Sequence, residues 1–205
     1  LIRIGSTKTQ AGRVGDKPSI KLAETIEGLK FSIGRLKTGT PPRILKESIN
    51  FNNLEEQYPD KNPKPFSFIN KHIHIPQISC FLTCTNKRTH EIIRKNITLS
   101  PMYSGEITSM GARYCPSIED KVYKFPNKES HQIFLEPEGL NDDIIYPNGI
   151  SSSLPENIQE KFVRSIKGLE NAIITCPAYA IEYDFIDPQE LLHTLETKKI
   201  KNLFF

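Results

Sequence analysis

The sequence predicts a mixed fold, α/β or α+β, and not a helical bundle. Three observations carry this. Short apolar runs of strand type alternate along the chain with amphipathic stretches of helix type. Several of those helical stretches open on a cap residue followed three positions later by an acidic one. Fifteen prolines and eleven glycines in 205 residues demand many turns.

In chain order, Leu1-Ile2-Arg3-Ile4-Gly5 reads as a strand. Pro18 to Glu27 reads as a helix with Ile20, Leu22, Ala23 and Ile26 on its apolar face and Gly28 at the stop position. Phe31 to Leu36 alternates like a strand. Lys37 to Arg43 is expected to leave regular structure, because Pro41 and Pro42 cannot donate to a ladder. Residues 44 to 70 are polar and proline-rich, which suggests a long excursion or the start of an inserted domain. Ile78 to Cys84 reads as a buried strand, followed by a helix from Lys87 to Asn96 capped by Thr85 or Asn86. Ser117 and Asp120 form a capping box that opens a helix to Lys124. Gln132 to Leu135 is a short strand. Ser153-Leu154-Pro155-Glu156 reads as a second capping box, opening a helix with Ile158, Phe162 and Ile166 on one face. Ala172 to Thr175 and Tyr179 to Tyr183 are strands, Asp187 caps a short helix, and Ile200 to Phe205 is a terminal strand. That last strand would expose Phe204 and Phe205 unless something covers them. The expectation is therefore a piece of a longer protein, the alternative being a small domain that ends on an edge strand.

Composition narrows the function classes. With 27 basic and 24 acidic side chains the net charge is +3, which excludes a histone-like polycation and an acidic solvating tail. No apolar run approaches the roughly 18 residues of a membrane helix, and no secretory signal opens the chain. Four cysteines are too sparse for a disulfide scaffold, so reduced thiols in a cytosol-like compartment are expected.

The chemistry-bearing stretch is Gly111-Ala112-Arg113-Tyr114-Cys115-Pro116-Ser117-Ile118-Glu119-Asp120-Lys121. Cys115 lies just before a helix start, whose free amides and dipole favour a thiolate, and Arg113 adds a cation two residues away. A thiolate is the nucleophilic form. The same amides suit a phosphate. The bland alternative is a buried structural thiol beside a cap. Cys80 and Cys84, with His72, His74 and His90 nearby, permit a zinc site, although two thiols on one strand face are ordinary core. Gly12 to Ser19 is a glycine-bearing turn leading into a helix, either a phosphate cradle or a plain turn with a serine cap. Lys71, Lys87, Arg88, Arg94 and Lys95 are either phosphate contacts or a solvated helix surface. Asn96-Ile97-Thr98 matches a glycosylation sequon without a secretory context.

Several blocks then occur in order: RLKTGTPPR at 35–43, SPMYSG at 100–105, RYCPSIEDK at 113–121, QIFLEPEG at 132–139, YPNGISSSLP at 146–155 and YAIEYD at 179–184. Together they resemble the GidA/MnmG family over essentially the whole chain. The resemblance implies part of a Rossmann-like FAD-binding domain with an inserted NAD-binding-like α/β domain. Residues 1–43 and 149–205 would be FAD-domain segments and 44–148 the insertion. It implies an FAD-dependent enzyme that, with an MnmE-type GTPase, adds a carboxymethylaminomethyl or related group to C5 of the tRNA wobble uridine, using FAD, NADH, a methylene-tetrahydrofolate carbon and glycine or ammonium. The alternative is an isolated nucleotide- or tRNA-binding fragment without catalytic activity. Cys115 matches one of the family's two cysteines; the other belongs to a region that this sequence does not contain. Ser19 matches an FAD-contacting position. Gly111, Ala112, Arg113, Tyr114, Cys115, Pro116, Ser117, Ile118, Glu119, Asp120, Lys121, Val122, Tyr123, Lys124 and Phe125 correspond to the assigned NAD-binding segment. No metal is implied. The partners implied are the GTPase, tRNA and a second copy in a homodimer, with no membrane. The compartment is cytoplasmic, or mitochondrial as for organellar homologues. Departures from the pattern are Ala112 in place of a proline, Cys176-Pro177-Ala178 in place of Arg-Pro-Gly, and His90-Glu91 in place of His-Asp. The family's glycine-rich FAD fingerprint and its C-terminal helical domain are not in the sequence, so the chain by itself is expected not to hold FAD tightly.

Overall fold

The computed structural model describes residues 1–111 and 115–205. The first sheet begins with β1 (Ile2–Ile4) and β2 (Thr7–Thr9), followed by helix α1 (Ile20–Gly28) and the long strand β3 (Ile33–Thr40). The second sheet collects β4 (Arg43–Leu45), β5 (Glu55–Gln57) and β6 (Cys80–Cys84). Helix α2 (Lys87–Asn96), β7 (Met110–Gly111) and helix α3 (Ile118–Lys124) come next. Then follow β8 (Gln132–Pro137), β9 (Ile144–Asn148), helix α4 (Glu156–Val163), β10 (Ile174–Cys176) and β11 (Tyr179–Ile186).

The sheet orders are β2-β1-β11-β3-β7 and β10-β4-β9-β8-β6-β5. Among the described residues every strand pairing is antiparallel except β3 with β7. The chain thus leaves the first sheet after Thr40, visits it briefly at β7, and returns at Tyr179. The mixed class read from the sequence holds.

The core lies on the second sheet. Ile44, Ile93, Ile118, Val122, Ile133, Leu135 and Phe162 are among a cluster of buried side chains that joins α2, α3 and α4 to β4, β8 and β9. Asn86, one of the two cap candidates, caps α2 through a reciprocal pair with Thr89, and Ser117 caps α3 through one with Asp120 as its sequence indicates.

Four expectations are corrected and one strand is added. Lys37 to Thr40 stay in β3, because β11 supplies a continuous ladder from Ile33 to Thr40; only Pro41 and Pro42 break it. Ser153 does not cap α4: Pro155 occupies that position without a side-chain bond, while the Ser153 hydroxyl pairs with Ser100 at 2.9 Å. The strand expected to be buried from Ile78 begins at Cys80 and is mostly half-buried. Ile200 to Phe205 forms no strand beyond the isolated bridge of Glu196 with Phe204. Strand β9 was not foreseen, since Pro147 and Gly149 mask it; its register with β8 tolerates Pro147 opposite Leu135.

Candidate active site at Cys115

Residues 115–117, just before α3, lie against β3 of the first sheet. Asp120 Oδ2 accepts from the Ser117 amide at 3.3 Å and from its hydroxyl at 3.2 Å, while Ser117 Oγ accepts from the Asp120 amide at 3.1 Å. This double cap fixes where the helix begins, and Cys115 stands two residues before it. Its half-buried thiol shares a 2.9 Å hydrogen bond with the Thr38 hydroxyl and donates to the Gly39 carbonyl at 3.8 Å. Thr38 and Gly39 are the β3 residues that the sequence placed outside regular structure. The ladder with β11 is what presents them to the sulfur.

Cys115 lines a cavity of about 10 Å³ together with Lys37, Thr38, Met102, Ser117, Ser152 and Ser153. That is room for about one water molecule. Lys37 is only 7% exposed. Its Nζ donates to the Met102 thioether and lies 3.7 Å from Asp120 Oδ2. A methyl group on Gly111 would stand 3.0 Å from Lys37 Cε, so glycine lets β7 pass over the lysine stem.

Glu119 is fully buried beside this wall. Its Oε1 accepts from the Ser152 hydroxyl at 3.2 Å and the Ser153 amide at 3.0 Å. Oε2 has no partner among the described residues. Burial pushes the Glu119 carboxyl above the usual range, with the Ser153 hydrogen bond opposing it. Tyr103 donates to Asp120 Oδ1 at 3.0 Å, and burial raises its phenol. Lys121 is half-buried, donates to the Gly149 carbonyl at 2.8 Å, and is lowered by burial.

Of the fifteen positions in the segment, Ala112, Arg113 and Tyr114 lie outside the described residues. Ile118 and Val122 belong to the core. Pro116, Tyr123, Lys124 and Phe125 are exposed. Ser19 lines a different space, an open cleft of about 550 Å³ with Gly12, Pro18, Leu22, Arg35 and Tyr183. Ser19 makes no side-chain capping bond with α1. Gly15 takes φ +89° in the turn before it, a conformation that favours glycine.

Other sequence candidates resolve differently. His90 is buried and shares a 2.7 Å hydrogen bond with the Thr85 hydroxyl, its ring 5.3 Å from that of His131. Lys87 pairs with Glu129 at 2.9 Å, and Arg94 donates to the Pro126 carbonyl at 3.0 Å. Among the described residues no three metal-ligating side chains gather. Lys37 and Thr38 were not singled out as site residues. Their signal was present, since both sit in the RLKTGTPPR block, but their proximity to Cys115 depends on the long-range ladder with β11.

The fold and the site define a mixed α/β protein of two sheets with a thiol hydrogen-bonded to β3 of the first. The chain belongs to the glucose inhibited division protein A (GIDA) family, whose model matches residues 1–205. It is 56% identical over 203 residues to the tRNA uridine 5-carboxymethylaminomethyl modification enzyme MnmG of Borrelia garinii subsp. bavariensis, covering 99% of this chain and 33% of that protein. It is 57% identical over 202 residues to the MnmG of Buchnera aphidicola subsp. Cinara cedri, covering 98% of this chain and 32% of that one. Aquifex aeolicus GidA in its form I crystal superposes with a TM-score of 0.90 at 50% identity, over 99% of this chain and 35% of that structure. The chain spans about a third of the length of the curated relatives it matches.

Proposed function

We propose that this chain is the central part of an FAD-dependent enzyme that, with an MnmE-type GTPase, adds a carboxymethylaminomethyl or related group to C5 of the tRNA wobble uridine. Family membership and the names of the relatives support the reaction. One structural observation supports the role of this segment: the Cys115 thiol is held against β3 by Thr38 and Gly39 instead of being dissolved in the apolar core. C5 of uracil is a poor nucleophile. Adding a thiolate at C6 converts the ring to an enolate whose C5 can attack an electrophilic carbon, so one hard step becomes two easier ones. Cys115 is the proposed nucleophile.

The residues present fit a flavin dinucleotide in the α1 cleft. Among the described residues the Ser19 side chain makes no capping bond, Gly12, Pro18 and Ser19 line the cleft, and about 550 Å³ is within the usual range for a cofactor site. Bound there, FAD would supply the redox chemistry; Ser19 and the turn would orient it. For NADH, the exposed Tyr123, Lys124 and Phe125 are the contacts we propose, while Ile118, Glu119 and Val122 hold the segment to the core. We further propose that the inserted domain of 44–148 packs with α4 and β10, so that the return to the FAD-domain segment falls at Tyr179 instead of residue 149. A cytoplasmic homodimer completes the reading. No helix among the described residues is long and apolar enough to cross a membrane.

Cys115→Ser in the complete protein tests the reaction. Nucleoside mass spectrometry of tRNA from cells carrying the variant is expected to show loss of the wobble modification, with the purified protein still yellow. Normal modification would remove Cys115 from the mechanism.

A further inference from the structure

We propose that Lys37 is a catalytic residue of the Cys115 site, donating from its ammonium to the C4 carbonyl oxygen of the pyrimidine that Cys115 attacks. This rests on the thiol-addition reading above. Three observations point to it.

First, among the described residues the buried ammonium has no well-matched acceptor. An ammonium carries three donors, and burial of a charge is costly unless those donors are used. Among the described residues Lys37 Nζ has the Met102 thioether, a weak acceptor, and no oxygen within 3.5 Å; Asp120 Oδ2 stands at 3.7 Å. The Asp120 oxygens are already engaged by Ser117 and Tyr103. Lys121, the other lysine nearby, is committed to the Gly149 carbonyl.

Second, Lys37 and Cys115 share the wall of one cavity of about 10 Å³. The residue after Lys37 holds the sulfur, and Lys37 Nζ approaches Asp120 Oδ2, whose carboxylate is hydrogen-bonded to Ser117, two residues from Cys115. Met102 lines the same cavity. It is an unbranched, adaptable side chain, and moving it aside opens room for the ring while freeing the Lys37 donor it occupied.

Third, the chemistry needs a cation there. When Sγ bonds to C6, the C5=C6 π pair shifts toward C4 and negative charge develops on the C4 oxygen. A positioned donor in a water-poor site stabilises such an oxyanion far more than the neutral carbonyl before it, and removal of one donor typically costs about 10²–10³ in rate.

The test uses the complete protein with FAD, NADH, the folate and glycine, and tRNA bearing 5-fluorouridine at the wobble position. Fluorine at C5 cannot leave as a proton does, so the Sγ–C6 adduct accumulates and is quantified on the Cys115 peptide by mass spectrometry. The wild-type protein is expected to form it. Lys37→Met is expected to slow adduct formation by about 10²–10³ with the KM for tRNA unchanged, because the lost bond strengthens only as the oxyanion forms. Lys37→Arg, which keeps the cation, is expected to recover at least tenfold over Lys37→Met. Should Lys37→Met fail to fold or retain flavin, Lys37→Gln replaces it, with a loss of at least tenfold expected. A neutral variant that forms the adduct at the wild-type rate overturns the role of Lys37. Absence of any Cys115 adduct in the wild-type protein overturns the thiol-addition reading on which the role depends.

Discussion

The α4 side of the second sheet and the α1 side of the first are built from the same sequence pattern and end in opposite states. Both helices carry apolar residues at helical spacing. In α4, Ile158, Phe162 and Val163 are buried in a cluster with α2, α3 and the sheet. In α1 no residue is buried, and Leu22 is 59% exposed. Ala23 and Ile26 line a cleft of about 600 Å³ with Phe185 and Phe205. Periodicity therefore reports which face of a helix is apolar, and not what covers it. The α4 face does its packing within this chain. The α1 face borders open space on both flanks, the side where the flavin is proposed to lie.

That contrast gives graded predictions. Phe162→Ala removes a large, fully buried ring and is expected to cost about 3–5 kcal/mol, read as a shift of the urea midpoint. A cost under about 1 kcal/mol would mean that the α4 core is not tightly packed.

Acid should attack the same core at α2 and β8. His131 is buried, and its Nε2 has no partner among the described residues. Burial, then His90, Lys128 and Lys121, push it down to about 4 from the ordinary 6.5. His90 is also lowered, by burial and then Arg94. The unfolded chain therefore takes up these protons first. Stability is full above pH 6.5, falls as pH drops toward about 4, and levels below that as the folded His131 also charges. Urea midpoints between pH 7 and 4 are expected to show this fall, and His131→Leu to flatten it. An unchanged slope in that variant would assign the acid sensitivity elsewhere.

At the other extreme, Leu22→Ala on α1 is expected to change the stability of this chain by no more than about 0.5 kcal/mol. A loss comparable to that of Phe162→Ala would show that the α1 face is covered after all.

Legibility in the sequence followed the range of the interaction. The caps of α2 and α3 are local, so Ser117 with Asp120 could be read from a few residues and the α2 cap narrowed to Thr85 or Asn86, of which Asn86 serves. The failure at Ser153 was also instructive: its motif was intact, but its hydroxyl and amide were claimed by Ser100 and Glu119 from distant segments. The same holds for the site. Cys115 was visible as a thiol before a cap, whereas Lys37 and Thr38 became its neighbours only through a β3–β11 ladder that joins residues about 140 positions apart. A buried lysine in a strand looks like a surface residue until its partner strand is known.

The most direct measurement is a crystal structure of the complete protein trapped with tRNA that carries 5-fluorouridine at the wobble position. The account predicts continuous density from Cys115 Sγ to C6 of that base, with Met102 displaced and Lys37 Nζ about 3 Å from the C4 oxygen. A trapped base bonded to a different side chain, with Cys115 still turned toward Thr38 and Gly39, would contradict it.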